Sequence, residues 1–321
     1  MFRQFFAVAR NAYLESIRQS IFVVILLLVM GLLILNVPLS SYTFDDDNKL
    51  MVDLGLSTIL LGGMFLSAFT AAGVISREIE NRTILTVISK PIARPVFILG
   101  KFFGIAAAVT LALWIWSTLM LMSIRHGVLQ TASDTADGPV LTFGGLAIVG
   151  ALATAALSNY MFKRHFGATL AKWLGILLAI AYLLTLPISK EWTLQPLTTN
   201  FDLQMLAALF LLSQAIWLFC AVAVTASTRM GQVATLAVCA VVFFLGLCSD
   251  YVFGRFEETS AVAAWLYAVV PNLQVLWLAD ALTQQHPVNL QYVGLATAYC
   301  ALFISALIAV AVALFQDRQV A

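Results

Sequence analysis

Residues 76–101 read SREIENRTILTVISKPIARPVFILGK, and the rest of the chain is organised around them. They form a polar interruption between two apolar runs, residues 54–75 and 99–124, each long enough to cross a bilayer. Arg77, Arg82, Lys90, Arg94 and Lys101 outnumber Glu78 and Glu80. A basic loop between two spans belongs on the cytoplasmic side. At about 100° per residue, Ile84, Leu85, Val87 and Ile88 gather on one side of residues 82–89, and Arg82, Thr83, Thr86 and Ser89 on the other. Lys90-Pro91 ends this short helix, because proline disfavours helical backbone in the residue before it. A short helix with one apolar face suits a groove on a soluble partner.

The composition fixes the class. Of 321 residues, 62% are hydrophobic and 10% charged, against about 25% charged in a soluble domain. Lipid leaves backbone groups no outside partner, so spanning segments of this kind are helices. The expectation is an all-α, polytopic membrane protein forming a single domain over residues 1–321. Residues 1–20 place Phe2, Phe5, Phe6, Ala9, Tyr13 and Ile17 at helical spacing, with Arg3, Arg10 and Arg18 elsewhere, as in an interfacial helix. The alternative is the start of a long first span. The first apolar run, residues 21–37, is followed by no clean cleavage site and reads as a retained span. Cys220, Cys239, Cys248 and Cys300 lie in or beside apolar runs without CxxC spacing and read as small core residues. Asp45, Asp46, Asp47 and Asp53 make one loop acidic but lack the ligand spacing of a calcium loop.

Eight spans follow: residues 21–37, 54–75, 99–124, 143–162, 168–188, 201–227, 232–253 and 290–315. Residues 260–282 are apolar enough to cross, but Pro271-Asn272 sits in their middle, and they read as two short helices that dip in and return. Both termini are then cytoplasmic, and thirteen of the 17 basic residues fall inside. A ninth span at 260–282 would put the tail outside.

The residues Glu78-x-Glu80-x-x-Thr83, Ser89-Lys90-Pro91-Ile92-x-Arg94 and Leu99-Gly100-Lys101 resemble the coupling segment of type-2 ABC transporter permeases. More narrowly, the match resembles the branch that includes the nitrous-oxide-reductase maturation permease. The family pattern has a glycine before the threonine where this chain has Arg82. The family has six spans, and residues 143–188 are the extra pair. The resemblance implies an interfacial elbow helix at 1–20, a cytoplasmic coupling segment at 76–98 and re-entrant outer helices at 260–282. It implies a separate ATP-binding subunit contacted by Glu78, Glu80, Arg82, Thr83, Ile84, Val87, Ile88, Pro91, Arg94 and Lys101. It also implies a second permease subunit, identical or related, in a bacterial inner membrane, and no nucleic-acid partner. The activity implied is export driven by that ATPase. The alternative is the membrane subunit of an assembly or maturation complex that moves no soluble substrate.

The chain's own chemistry is sparse. The nearest approach to a P-loop, PVFILGKF at 95–102, lacks the first glycine and the hydroxyl that meets magnesium. ATP and magnesium are therefore expected on the partner, with no cofactor, catalytic residue or metal in this chain. His126, Asp134 and Asp137 could form an acid–base site on the outer face, the basis of a membrane-enzyme reading, or could be a solvated loop. Asn36, Asn159 and Gln214 are the main polar groups within spans, too few for an ion-coupled carrier. Gly62, Gly63, Ala68 and Ala72 allow close helix approach and mark residues 54–75 as a subunit seam, unless they pack within one subunit.

Overall fold

The computed structural model describes residues 2–41, 47–80, 93–129, 135–197, 199, 201–284 and 286–316, with the backbone alone for 47 and 76–80. Helices account for nearly all of it: α1 Phe2–Arg18, α2 Ser20–Ser40, α3 Asp47–Glu80, α4 Arg94–His126, α5 Gly138–Phe162, α6 Phe166–Thr185, α7 Leu203–Ser227, α8 Gln232–Leu247, α9 Ser249–Val252, α10 Ala261–Val269, α11 Ala279–Thr283 and α12 Leu290–Gln316. Among the described residues, eight helical stretches are long and apolar enough to cross a membrane, or nine if one bent pair is a single span. The protein is an all-α, multi-pass membrane protein.

The last third differs in detail from the sequence reading. Residues 232–253 were expected as one straight span. Instead α8 has 16 residues, a rise of about 24 Å against a hydrocarbon core of about 30 Å. At Cys248 the chain bends by 65° into Ser249–Phe256. Ala261–Thr283 is apolar enough to be counted among the eight, yet it is broken. α10 has nine residues, about 14 Å, Val270 is extended, and α11 has five. The bend and the break satisfy each other. Leu273 N–H donates to Gly246 O at 3.1 Å, and Gln274 Nε2 donates to Leu247 O at 2.9 Å. These are carbonyls that the end of α8 leaves open. Asp250 Oδ1 accepts from Tyr267 at 2.7 Å and from Asn272 at 2.6 Å, and Asn272 N–H donates to Tyr299 Oη at 2.8 Å. Irregular backbone at membrane depth survives when it is paired in this way.

The expected single domain resolves into two compact units. One comprises Met1–Ser16, Met64–Ala107 and Ala207–Ala321, and the other Ile17–Gly63 and Ala108–Leu206. Every boundary falls inside a helix (α1, α3, α4 or α7), so no linker composition could have announced it.

In the second unit α5 and α6 form an antiparallel hairpin. Lys163 closes it in the left-handed conformation, φ 52°, and donates its N–H to Asn159 O. Close approach at two glycines docks α6. A Cβ on Gly167 would lie 2.3 Å from Val23 Cγ2, and one on Gly175 would lie 3.0 Å from Leu111 Cδ1. Trp114 Nε1 donates to Gly175 O at 3.1 Å. α5 leaves Leu141, Leu146, Val149, Leu157 and Tyr160 exposed, a surface suited to lipid.

In the first unit α7 is central, with Leu211, Ile216, Phe219 and Ala221 fully buried. Cys220 Sγ lies 3.1 Å from Ser67 Oγ of α3. Gln214 Nε2 donates to Thr297 Oγ1 of α12 at 3.0 Å. The four cysteines are free; Cys220, Cys239 and Cys300 are buried as expected, while Cys248 is exposed.

Candidate functional site

α3 has 34 residues and α4 has 33, each about 50 Å long and well beyond the hydrocarbon core. The apolar part of α3 ends at Ile75, and its helix continues through Glu78 to Glu80. The chain is described again from Ala93. The expected docking helix, with Arg82, Thr83, Ile84, Val87, Ile88 and Pro91, lies outside the described residues.

What the structure describes is where that segment enters α4. Arg94 donates from Nη1 to the carbonyls of Phe315 and Gln316, the last of α12. A cation there complements the negative end of the helix dipole. Three residues on, Phe97 stacks on Phe315 with ring centroids 5.5 Å apart and planes 16° apart. Lys101 is 1% exposed, its Nζ 3.4 Å from Glu15 Oε2 of α1 and 5.6 Å from the centre of the Phe97 ring. The backbones of α1 and α4 meet at Gly100 and Gly104. A Cβ on Gly104 would lie 2.3 Å from Ala9 O, and one on Gly100 would lie 2.8 Å from Val8 Cβ. The first three turns of α4 are thus a joint that holds α1 and α12 together.

This changes the roles of two expected partner contacts. Lys101 was expected to contact an ATP-binding subunit; its burial and its pairing with Glu15 leave it no surface for that. Arg94 is bonded to α12. The sequence reading missed Glu15, Gly104 and Phe315. The four-residue spacing of Gly100 and Gly104, a close-packing signature, was the signal that could have found the α1 contact.

The expected seam is also corrected. A Cβ on Gly62 would lie 2.4 Å from Val29 Cγ2 of α2. Gly63 is buried, and Ala68 and Ala72 are each 1% exposed. These small residues pack inside one chain and present no face to a second copy.

The acid–base constellation serves structure. Asp137 is 0% exposed. Its Oδ2 accepts from Arg125 Nε at 3.1 Å, and its Oδ1 caps α5 through Val140 N–H at 3.0 Å. Arg125 also donates to the carbonyls of Thr185 and Ile188 at the end of α6. His126 Nδ1 lies 2.8 Å from Gly127 O, and a carbonyl can only accept, so Nδ1 carries the proton. Asp134 lies outside the described residues. Asn36 Nδ2 donates to Met51 O at 2.7 Å, joining α2 to α3, and Asn159 Nδ2 donates to Arg164 O at 2.7 Å, tying the end of α5 to the turn after it. No protein-family model matches this chain, and no curated protein sequence matches it.

Proposed function

We propose that this chain is the permease subunit of an ABC transporter, an exporter, driven by a separate ATP-binding subunit through residues 76–98. The observation that carries the reading is the joint at the start of α4. Whatever moves residues 81–92 pulls directly on Arg94, Phe97 and Lys101. Those side chains hold the end of α12 and, through Glu15, the last turn of α1. A docking helix alone would be a tether. A docking helix whose downstream strut grips two other helices can transmit displacement. In this mechanism ATP and magnesium bind the partner, two partners close on each other, and the segment shifts with them. α4, α1 and α12 then move together, and a path between two permease subunits opens to the other face. Both termini lie on the partner's side, in the cytoplasm of a bacterium.

The test is purification of the full chain in mild detergent, with identification of the co-eluting chains. The expected result is a P-loop ATPase in the wild-type eluate. It should be lost or uncoupled in the double variant Glu78→Arg/Arg82→Glu, with that variant still inserted in the membrane. An unchanged partner set and unchanged substrate-stimulated hydrolysis in that variant would overturn the proposal.

A further inference from the structure

We infer that a groove between α7, α8 and α12 is a binding site for one anionic phospholipid, on the side of the membrane where Arg229 lies. The inference does not rest on the transporter reading. The groove encloses about 470 Å³, within the size range of small-molecule sites. Val238 and Val242 of α8 form one wall, Phe303, Leu307 and Leu314 of α12 the other, and residues 269–271 of the broken segment close the far end. Thr225 is the wall's hydroxyl, and its proton is directed at Ala221 O and Leu307 O, 2.7 and 3.0 Å away. The interior is therefore almost wholly apolar, with its one side-chain hydroxyl proton already engaged. Arg229 stands at the mouth, exposed, and its side chain has no hydrogen bond or ion pair among the described residues.

Length and charge together select the occupant. From Phe303 to Leu314 α12 rises about 16 Å, close to half of the roughly 30 Å hydrocarbon thickness. The groove is as long as one leaflet is deep, with a cation where that leaflet's headgroups lie. A single acyl chain fits the apolar part, and a lipid phosphate meets the guanidinium, which is suited to bidentate phosphate contact. A soluble anion would use Arg229 and leave the groove empty. A zwitterionic lipid would bring its own ammonium beside the phosphate that meets Arg229, so the net attraction favours an anionic headgroup.

The experiment uses the full chain in phosphatidylcholine nanodiscs carrying trace chain-spin-labelled phosphatidylglycerol or phosphatidylcholine, with the motionally restricted fraction read by electron spin resonance. The expected selectivity for phosphatidylglycerol is about fivefold, the order of one basic side chain near an anionic surface. It should fall to about one in Arg229→Gln and persist in Arg229→Lys. Val242→Trp, which fills the groove, should reduce the restricted fraction of both lipids. Glycerol phosphate in solution should displace neither. Equal selectivity in wild type and Arg229→Gln overturns the inference, as does displacement by glycerol phosphate, which would mark a free-anion site. The Arg229 variants decide the matter even if the tryptophan variant does not fold.

Discussion

Replacing Gly104 with alanine adds one methyl group where α1 rests on α4. That carbon would lie 2.3 Å from Ala9 O, 2.6 Å from Ala12 Cβ and 3.0 Å from Tyr13 N. Carbon atoms pack at about 3.5–4.0 Å, and none of these three atoms can rotate away, because two are backbone and one is a Cβ. α1 must therefore shift by roughly 1 Å, an overpacking cost of about 1–3 kcal/mol. Alanine's better helix propensity returns about 1 kcal/mol. The shift also stretches the Lys101–Glu15 contact from 3.4 Å past ion-pair range. Glu15 is about a third exposed, so that loss adds under about 1 kcal/mol. Gly145 supplies the control, since a Cβ there meets nothing within 4 Å and Gly145→Ala keeps only the propensity gain. Thermal unfolding of both variants in one detergent should separate them by about 1–3 kcal/mol, with Gly104→Ala melting several degrees lower. If Gly104→Ala melts with Gly145→Ala or above it, α1 does not bear on α4 in this way. On the proposed function, Gly104→Ala should also weaken the partner's stimulated ATP hydrolysis, because the joint is looser.

Two further outcomes follow from packing and charge. Gly62→Leu should abolish a monodisperse folded protomer, because Val29 Cγ2 already stands 2.4 Å from the first added carbon and a β-branched side chain has little freedom to yield. Val29→Ala in the same chain should restore part of the folded fraction by size-exclusion chromatography, whereas a folded Gly62→Leu protein lacking only its dimer would revive the seam on α3. Asp137→Asn keeps the bulk of the α5 cap but removes the charge paired with Arg125, whose side chain is 4% exposed. Loss of a buried partner costs about 3–5 kcal/mol, toward the low end here because Arg125 retains two carbonyls, and an unchanged melting temperature would count against a structural role for the pair.

Much of the architecture was legible because hydropathy reports directly on burial in lipid. The runs at 54–75, 99–124 and 290–315 became α3, α4 and α12, and Pro271 correctly announced the break after α10. The bend after α8 carried no such mark. Apolar residues continue from Phe243 to Cys248, and the chain turns because Leu273 and Gln274, some 25 residues on, take carbonyls at the helix end. The small residues of α3 show a related limit. Gly62, Ala68 and Ala72 do announce close approach, but nothing local says whether the approaching helix belongs to the same chain. Lys101 misled for a third reason. A lysine at the end of an apolar run usually reaches for water, and here the Glu15 carboxylate and the Phe97 ring take the place of water.

The fate of the polar groups bears on where energy can enter. A membrane-embedded carrier of protons or ions needs groups that bind and release charge along the spans. In this chain Asn36 is bonded to Met51 O, Gln214 to Thr297, Arg125 to Asp137 and two carbonyls, and Lys101 to Glu15. Each bond joins different helices or a helix to its neighbouring loop. Releasing any of them to take up an ion would cost the packing that it holds, so a cycle built on them would loosen the fold at every turnover. On the proposed function, a cycle that pushes from outside need break none of these bonds, because Arg94, Phe97 and Lys101 tie the start of α4 to α12 and α1. That contrast is the physical ground on which the proposed function seeks the energy source outside the chain.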